Sequence, residues 1–181
     1  EHVALLRGIN VGGKNKLPMK ELVPLFEQAG CRAVRTYIQS GNVVFRAARA
    51  RAASVPEIVA EAIRARLGFR APVVLRTADE LGELARGNPF VRSGADVGAL
   101  HVVFLAERPT ASRVAALDPG RSPPDELVVR GREIYLLLPN GVARTKLTNA
   151  YFDATLATTS TVRNWRTVLA LLEMTDRPSG R

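Results

Sequence analysis

The stretch Arg35-Thr36-Tyr37-Ile38-Gln39-Ser40-Gly41-Asn42-Val43-Val44-Phe45 constrains the fold more than any other, because side chains alternate in character on both sides of a Ser-Gly pair. Alternation puts one set of residues on each face of a strand, and Ser40-Gly41 supplies a reversal, so the segment predicts a β-hairpin. With a two-residue turn, Gln39 lies opposite Asn42, Ile38 opposite Val43 and Thr36 opposite Phe45. Thr36, Ile38, Val43 and Phe45 then share a buried face. Arg35, Tyr37, Gln39, Asn42 and Arg46 fall on the other face, which offers donors and one aromatic ring but no carboxylate. Such a face suits an anion or a nucleic-acid backbone better than a metal ion.

The flanking segments supply the rest of a sheet. Val3 to Ile9 is apolar apart from Arg7 and reads as a central strand, followed by the polar, glycine-rich Gly8 to Lys16. Met19, Leu22, Val23, Phe26 and Ala29 recur at helical spacing, with Pro18 near the start and Gly30 just past the end. Pro24 is expected to kink that helix or delay its start. Arg46 to Arg51 reads as a connector, and Ser54-Val55-Pro56-Glu57 as the capping box of a second helix closed by Gly68. Pro72 to Arg76 is a strand, and Thr77-Ala78-Asp79-Glu80 caps a shorter helix ending at Gly87. Strand, helix, strand, strand, helix, strand is the order of the ferredoxin-like plait, a split βαβ unit.

The second half repeats the pattern. Asn88 to Gly98 reads as a loop, Leu100 to Ala106 as a buried strand and Thr110 to Leu117 as a short helix. Leu127 to Arg130 and Glu133 to Leu138 pair about Gly131. Helices over Tyr151 to Leu156 and Asn164 to Met174 follow, with the last strand missing or reduced to Thr158–Thr161. The fold class is α+β: a ferredoxin-like subdomain over 1–87 and a second, incomplete plait-like subdomain over 88–181 that ends in helices. The tail from Thr175 to Arg181 is expected to fray.

Composition narrows the function classes. The 181 residues carry 26 Lys+Arg against 17 Asp+Glu, a net charge of +9 and a pI near 10.7. This permits nucleic acid, nucleotides or acidic surfaces as partners. Arginine dominates, a bias that a GC-rich coding sequence would produce without functional cause. Lysine is confined to Lys14, Lys16, Lys20 and Lys146, in or beside two short polar stretches where a compact ammonium differs from a guanidinium. The lone Cys31 rules out an internal disulfide, and His2 and His101 are the only histidines. Metal and cofactor sites are therefore not expected. No segment approaches the roughly 20 apolar residues of a membrane span, no signal peptide is visible, and a cytoplasmic setting is expected.

Three polar stretches can carry chemistry. Gly8-x-x-x-x-Gly13-Lys14 has phosphate-loop spacing between a strand and a helix, so backbone amides at Gly12 and Gly13, with Lys14, could cradle an oxyanion. Asn15 stands where that motif needs a hydroxyl for Mg²⁺, and an antiparallel plait is not the sheet of such NTPases. A mobile glycine loop is the simpler structural reading. Ala143 to Asn149 packs Arg144 and Lys146 before a helix start; Thr148 or Asn149 is its cap, or the segment is an anion site. In Thr161 to Thr167, Trp165 reads as a core anchor, while Arg163 and Asn164 precede the apolar stripe and could face a ligand. Tyr37 is a surface residue, a core edge or a stacking platform. Glu133, Asp153 and Glu173 are isolated, no nucleophile–base pair is arguable, and no catalytic residue is assigned.

At these stretches the chain resembles a bacterial family known as domain of unknown function (DUF) family 1697. The matching segments are Leu5 to Lys14, Thr36 to Phe45, Asn88-Pro89-Phe90, Lys146-Leu147-Thr148-Asn149 and Arg163-Asn164-Trp165 with Thr167. Thr145 replaces a common serine and Val162 a usual threonine, which weakens any role for a hydroxyl at either place. The resemblance implies an α+β, plait-like fold and a bacterial protein, and no activity. It marks Arg7, Asn10, Lys14, Tyr37, Gln39, Ser40, Asn42, Lys146, Thr148, Asn149, Arg163, Asn164 and Trp165 as pattern positions. Together with Gly12, Gly13 and Arg144 these form the expected ligand-binding set, with Lys14 and Lys146 on one face. The favoured expectation is a binding module for a phosphate-bearing ligand, nucleic acid first. An enzyme acting on a nucleotide or small phosphorylated substrate, and an oligomeric scaffold, are the alternatives.

Overall fold

The computed structural model describes residues 1–176 and is α+β, with two four-stranded antiparallel sheets. Contacts divide the chain into one unit of Glu1–Leu81 with the helical residues from Leu171, and another of Gly82–Ala170.

The first unit runs β1 (His2–Leu6), α1 (Met19–Gln28), β2 (Arg32–Tyr37), β3 (Asn42–Arg46), α2 (Arg49–Leu67), β4 (Val73–Thr77) and the start of α3 (Ala78–Gly87). Its strand order, β2-β3-β1-β4, is that of the ferredoxin-like plait. Ala4, Leu6, Val43 and Phe45 point to one face and pack with Leu22, Leu25 and Phe26 of α1 and Val55, Val59 and Ile63 of α2. The Phe26 and Phe45 rings lie 5.4 Å apart. Val3, Leu5, Val44, Val74 and Arg76, on the opposite face, are buried as well. This is why β1 reads as a continuous apolar run instead of an alternating one.

Three local expectations change. Helix α2 begins at Arg49, not at Ser54, because the alanine-rich lead-in is itself a strong helix former. Ser54 Oγ donates to the Arg51 carbonyl inside the helix rather than capping it. Pro24 lies within α1 and does not delay its start, which is at Met19, and Pro56 lies well inside α2 instead of in its first turn. By contrast, the Thr77–Glu80 capping box is made in full: Thr77 N donates to Glu80 Oε2 at 2.8 Å and Glu80 N to Thr77 Oγ1 at 3.1 Å.

The second unit holds the end of α3, α4 (Pro89–Arg92), a 3₁₀ turn at Val97–Ala99, β5 (Leu100–Leu105), α5 (Ala111–Ala115), β6 (Glu126–Arg130), β7 (Glu133–Leu137), α6 (Asn149–Leu156), β8 (Ser160–Asn164) and the start of α7 (Trp165–Asp176). Asn88, expected in a loop, caps α4 by accepting from Phe90 N. Strand order β6-β7-β5-β8 repeats that of the first unit, so this plait is complete. Its last strand, expected to be missing or reduced to Thr158–Thr161, spans Ser160–Asn164; Ser160, Thr161 and Arg163 are polar yet buried, which hid it from an apolar-run reading. Val103, Leu105, Ile134 and Leu136 pack with Leu117, Phe152 and Leu156 on the helical face. Residues 177–181, most of the tail expected to fray, lie outside the described residues.

Candidate functional site

After β1 the backbone turns through a run of left-handed residues: Gly8, Asn10, Gly12, Gly13 and Asn15 all have φ between 51° and 75°. Gly12 and Gly13 are the two central residues of a tight turn closed by Lys14 N donating to the Val11 carbonyl at 3.0 Å. Asn10 holds the loop. Its Nδ2 donates to the carbonyls of Leu17 and Gln39, each at 2.8 Å, and its Oδ1 accepts from Leu17 N at 2.8 Å. Asn15 Nδ2 adds a bond to the Gly8 carbonyl at 2.8 Å. The glycine loop is thus tied down rather than loose. Helix α1 starts only at Met19, so the loop amides do not lead into a helix N-terminus and the phosphate-loop geometry of an NTPase is not made. Lys14 and Lys16 are exposed, as are Gly12 and Gly13, and no carboxylate occurs between Arg7 and Leu17. Arg7 is half-buried, its amide donating to the Pro72 carbonyl at 2.9 Å.

The hairpin forms, with its register changed. Tyr37 pairs with Asn42, Thr36 with Val43 and Arg35 with Val44. The shift of two preserves which face each paired residue takes, but Ile38 leaves the core for the turn, at φ 48° and 51% exposure. Asn42 drives the wider turn. It is fully buried, and its Nδ2 donates to the Tyr37 carbonyl at 3.1 Å and to Ser40 Oγ at 2.9 Å. The Gly41 carbonyl accepts from Leu6 N at 2.8 Å, tying the turn to β1. The expected polar face is therefore not one open surface: Gln39 is exposed, Tyr37 and Ser40 are half-buried, and Asn42 is inside. Nor is it free of acid, because Glu1 bridges Arg35 and Arg46 at 3.1 and 2.9 Å.

In the second unit the Arg144–Asn149 segment is mostly occupied by structure. Thr148 Oγ1 accepts from Tyr151 N at 3.2 Å and caps α6, Leu147 is core, and Asn149 Oδ1 accepts from Ser160 Oγ at 3.2 Å. Arg144 and Lys146 remain exposed. The sequence reading missed what positions Lys146. Ser122 Oγ accepts from Lys146 N at 3.0 Å and donates to Asp125 Oδ2 at 2.7 Å, while Arg121 Nε donates to the Lys146 carbonyl at 3.1 Å and stacks over Tyr151. The only sequence signal for it is the turn-rich Pro119 to Pro124 run.

Asn164 Oδ1 accepts from Thr167 N at 2.8 Å and so caps α7, and Trp165 is buried. Arg163 is buried in β8, donating to Thr161 Oγ1 and the Val162 carbonyl at 2.8 Å each. Burial pushes its guanidinium pKa down to about 10. Other displaced groups are embedded too: burial raises the Cys31 thiol to about 11 and Tyr135, whose Oη donates to the Leu84 carbonyl at 3.0 Å, to about 12. Among the described residues no group of His, Cys, Asp or Glu could hold a metal ion, and no helix is long and apolar enough to cross a membrane.

Of the expected set, then, the first unit brings together Arg7, Asn10, Gly12, Gly13, Lys14, Tyr37, Gln39, Ser40 and Asn42 through the Asn10 bond to Gln39. The second unit holds Arg144, Lys146, Thr148, Asn149, Arg163, Asn164 and Trp165. The profile of a family described as "Protein of unknown function (DUF1697)" matches residues 1–135. The chain belongs to this family. A solved structure described as that of conserved bacterial protein SP0830 from Streptococcus pneumoniae is similar in fold, with a TM-score of 0.69 at 23% identity over 97% of this chain and 98% of that one. No curated protein matches.

Proposed function

We propose that the protein binds a phosphate-bearing ligand, nucleic acid foremost, through the loop that follows β1. The observation that carries this reading is the exposure of Lys14 and Lys16 on an acid-free loop that Asn10 fastens to the hairpin turn. A held loop loses less conformational freedom on binding than a loose one, which supports a role for its two lysines and the exposed Gly12 and Gly13 backbone in meeting phosphate oxygens. Gln39, exposed on the neighbouring turn, adds a neutral donor. Arg144 and Lys146 form a second exposed basic segment in the other unit.

The test is anisotropy of labelled single-stranded and duplex oligonucleotides at a series of salt concentrations, with mononucleotides as competitors. Saturable binding that weakens steeply with salt is expected. Each lysine that contacts a phosphate contributes about one to the slope of log affinity against log salt, so Lys14→Ala with Lys16→Ala lowers it by about 2. Salt-insensitive binding, or a slope unchanged in the double variant, overturns the reading. Competition by mononucleotides with little salt dependence turns it toward the enzyme alternative. Lys146→Ala in the same titration measures the share of the second segment.

A further inference from the structure

A cleft of about 530 Å³ opens in the second unit where β5 ends and β8 begins, lined by Ala106–Thr110, Arg113 and Leu156–Thr159. None of the residues expected to bind a ligand lines it. Its walls are stitched by backbone: Ala106 N donates to the Thr159 carbonyl at 2.8 Å, and Glu107 N to Thr158 Oγ1 at 3.0 Å. Half-buried Ala106 and Pro109 contribute an apolar surface, backed by the almost fully buried Leu156. Two guanidinium groups share this lining, and neither has a carboxylate partner among the described residues. Arg108 is exposed, and Arg113 Nη1 makes one long bond, 3.4 Å, to the Thr155 carbonyl. Glu107 is the lining's single carboxylate, so cations outnumber it.

We propose that this cleft binds a small organic oxyanion, a carboxylate or a phosphate monoester, that carries a short apolar body. Planar guanidinium groups match both head groups through paired N–H donors, and Thr158, whose Oγ1 accepts from Glu107 N, keeps its O–H to donate to a remaining oxygen; Thr110 in the same lining is engaged as the cap of α5. The apolar body takes up the Ala106 and Pro109 surface, which gives the cleft a preference over bare inorganic phosphate. This site is independent of the loop after β1.

Isothermal titration with phenyl phosphate, benzoate and inorganic phosphate tests it. At least one aromatic anion is expected to saturate, and to bind more tightly than inorganic phosphate; which one does so identifies the head group. Arg108 is exposed and its side chain makes no hydrogen bond or ion pair among the described residues, so Arg108→Gln leaves folding intact, checked by the thermal melt, and weakens binding by about tenfold or more. Lys14→Ala leaves it unchanged, which separates this cleft from the proposed nucleic-acid loop. The proposal is overturned if neither aromatic anion saturates, if inorganic phosphate binds as tightly, if Arg108→Gln has no effect, or if Lys14→Ala removes the binding.

Discussion

The two plaits share strand order and the register of their first and last strands, and they differ most in what leaves the first strand. His2 pairs with Thr77 and Val3 with Arg76 in one; His101 pairs with Asn164 and Val102 with Arg163 in the other. In each, a buried arginine on the last strand is followed by a polar residue that caps the next helix, Thr77 for α3 and Asn164 for α7. The framework is a duplication. Yet β1 is followed by the lysine-bearing glycine loop that reaches Met19, whereas β5 passes into α5 through the short Ala106–Thr110 link. Their second helices differ as well, α2 with 19 residues and α6 with 8. Repeated positions are those the sheet requires. The links that differ each carry exposed cations, Lys14 and Lys16 in the first and Arg108 in the second, on a scaffold that holds them at the surface.

The turn between the second and third strands of each unit, β2–β3 and β6–β7, breaks this comparison most strongly. Gly41 has φ 75°, and a Cβ there would stand 2.7 Å from Leu6 Cβ and 2.8 Å from Ile9 Cδ1. Gly41→Ala combines left-handed strain with overpacking and is expected to lose about 3 kcal/mol in a urea melt. The counterpart Gly131 has φ 61°, and its added Cβ meets only Glu133 Oε2 at 3.7 Å. Gly131→Ala carries strain alone, about 1 kcal/mol. Equal losses would show that the first turn is not packed on β1.

Between these two in size lies Asn10→Ala, which removes three hydrogen bonds from the loop that the second unit lacks and is expected to cost about 2 kcal/mol. Asn10→Gly accepts φ 53° without a Cβ and separates the lost bonds from backbone strain. If the loop is held as described, Asn10→Gly also weakens oligonucleotide binding while Lys14 and Lys16 stay in place.

Much of this frame was legible because periodicity and turn chemistry are local. The element order, the Thr77–Glu80 box and the Gly131 hairpin all follow from neighbours in sequence. The repeat was visible as well, in the second run of strand, helix, strand, strand, helix. What failed depended on distant partners. The register of the first hairpin is set by the buried Asn42 amide and by Leu6 N, neither of which an alternation pattern contains. Polar residues at 160–163 form a strand because β5 pairs with them. Asn10, Asn149 and Asn164 looked like ligand donors from sequence, and their side chains fasten a loop, meet Ser160 and cap a helix. The Arg108–Arg113 cleft joins segments far apart in the chain and could not be read from either.

The smallest predicted effect returns to the paired histidines. Burial lowers the pKa of His101 below 6.5, opposed by its contact with the Ala99 carbonyl at 3.3 Å. Burial lowers that of His2 in the same direction, with its ring stacked on Phe45 and Nε2 3.2 Å from the Ala47 carbonyl. Between the depressed folded value and 6.5 the unfolded chain binds more protons, so each imidazole contributes stability that is complete above 6.5 and is lost as pH falls toward the folded value. Urea midpoints followed from about pH 7.5 to about pH 5 should decline, and less steeply in His101→Gln and in His2→Gln, since imidazole titrates in this range. If the register equivalence of the two plaits extends to their electrostatics, both variants flatten the profile. Flattening in one alone would mean that His2 and His101 share a place in the sheet but not an environment, and that the duplication ends at the backbone.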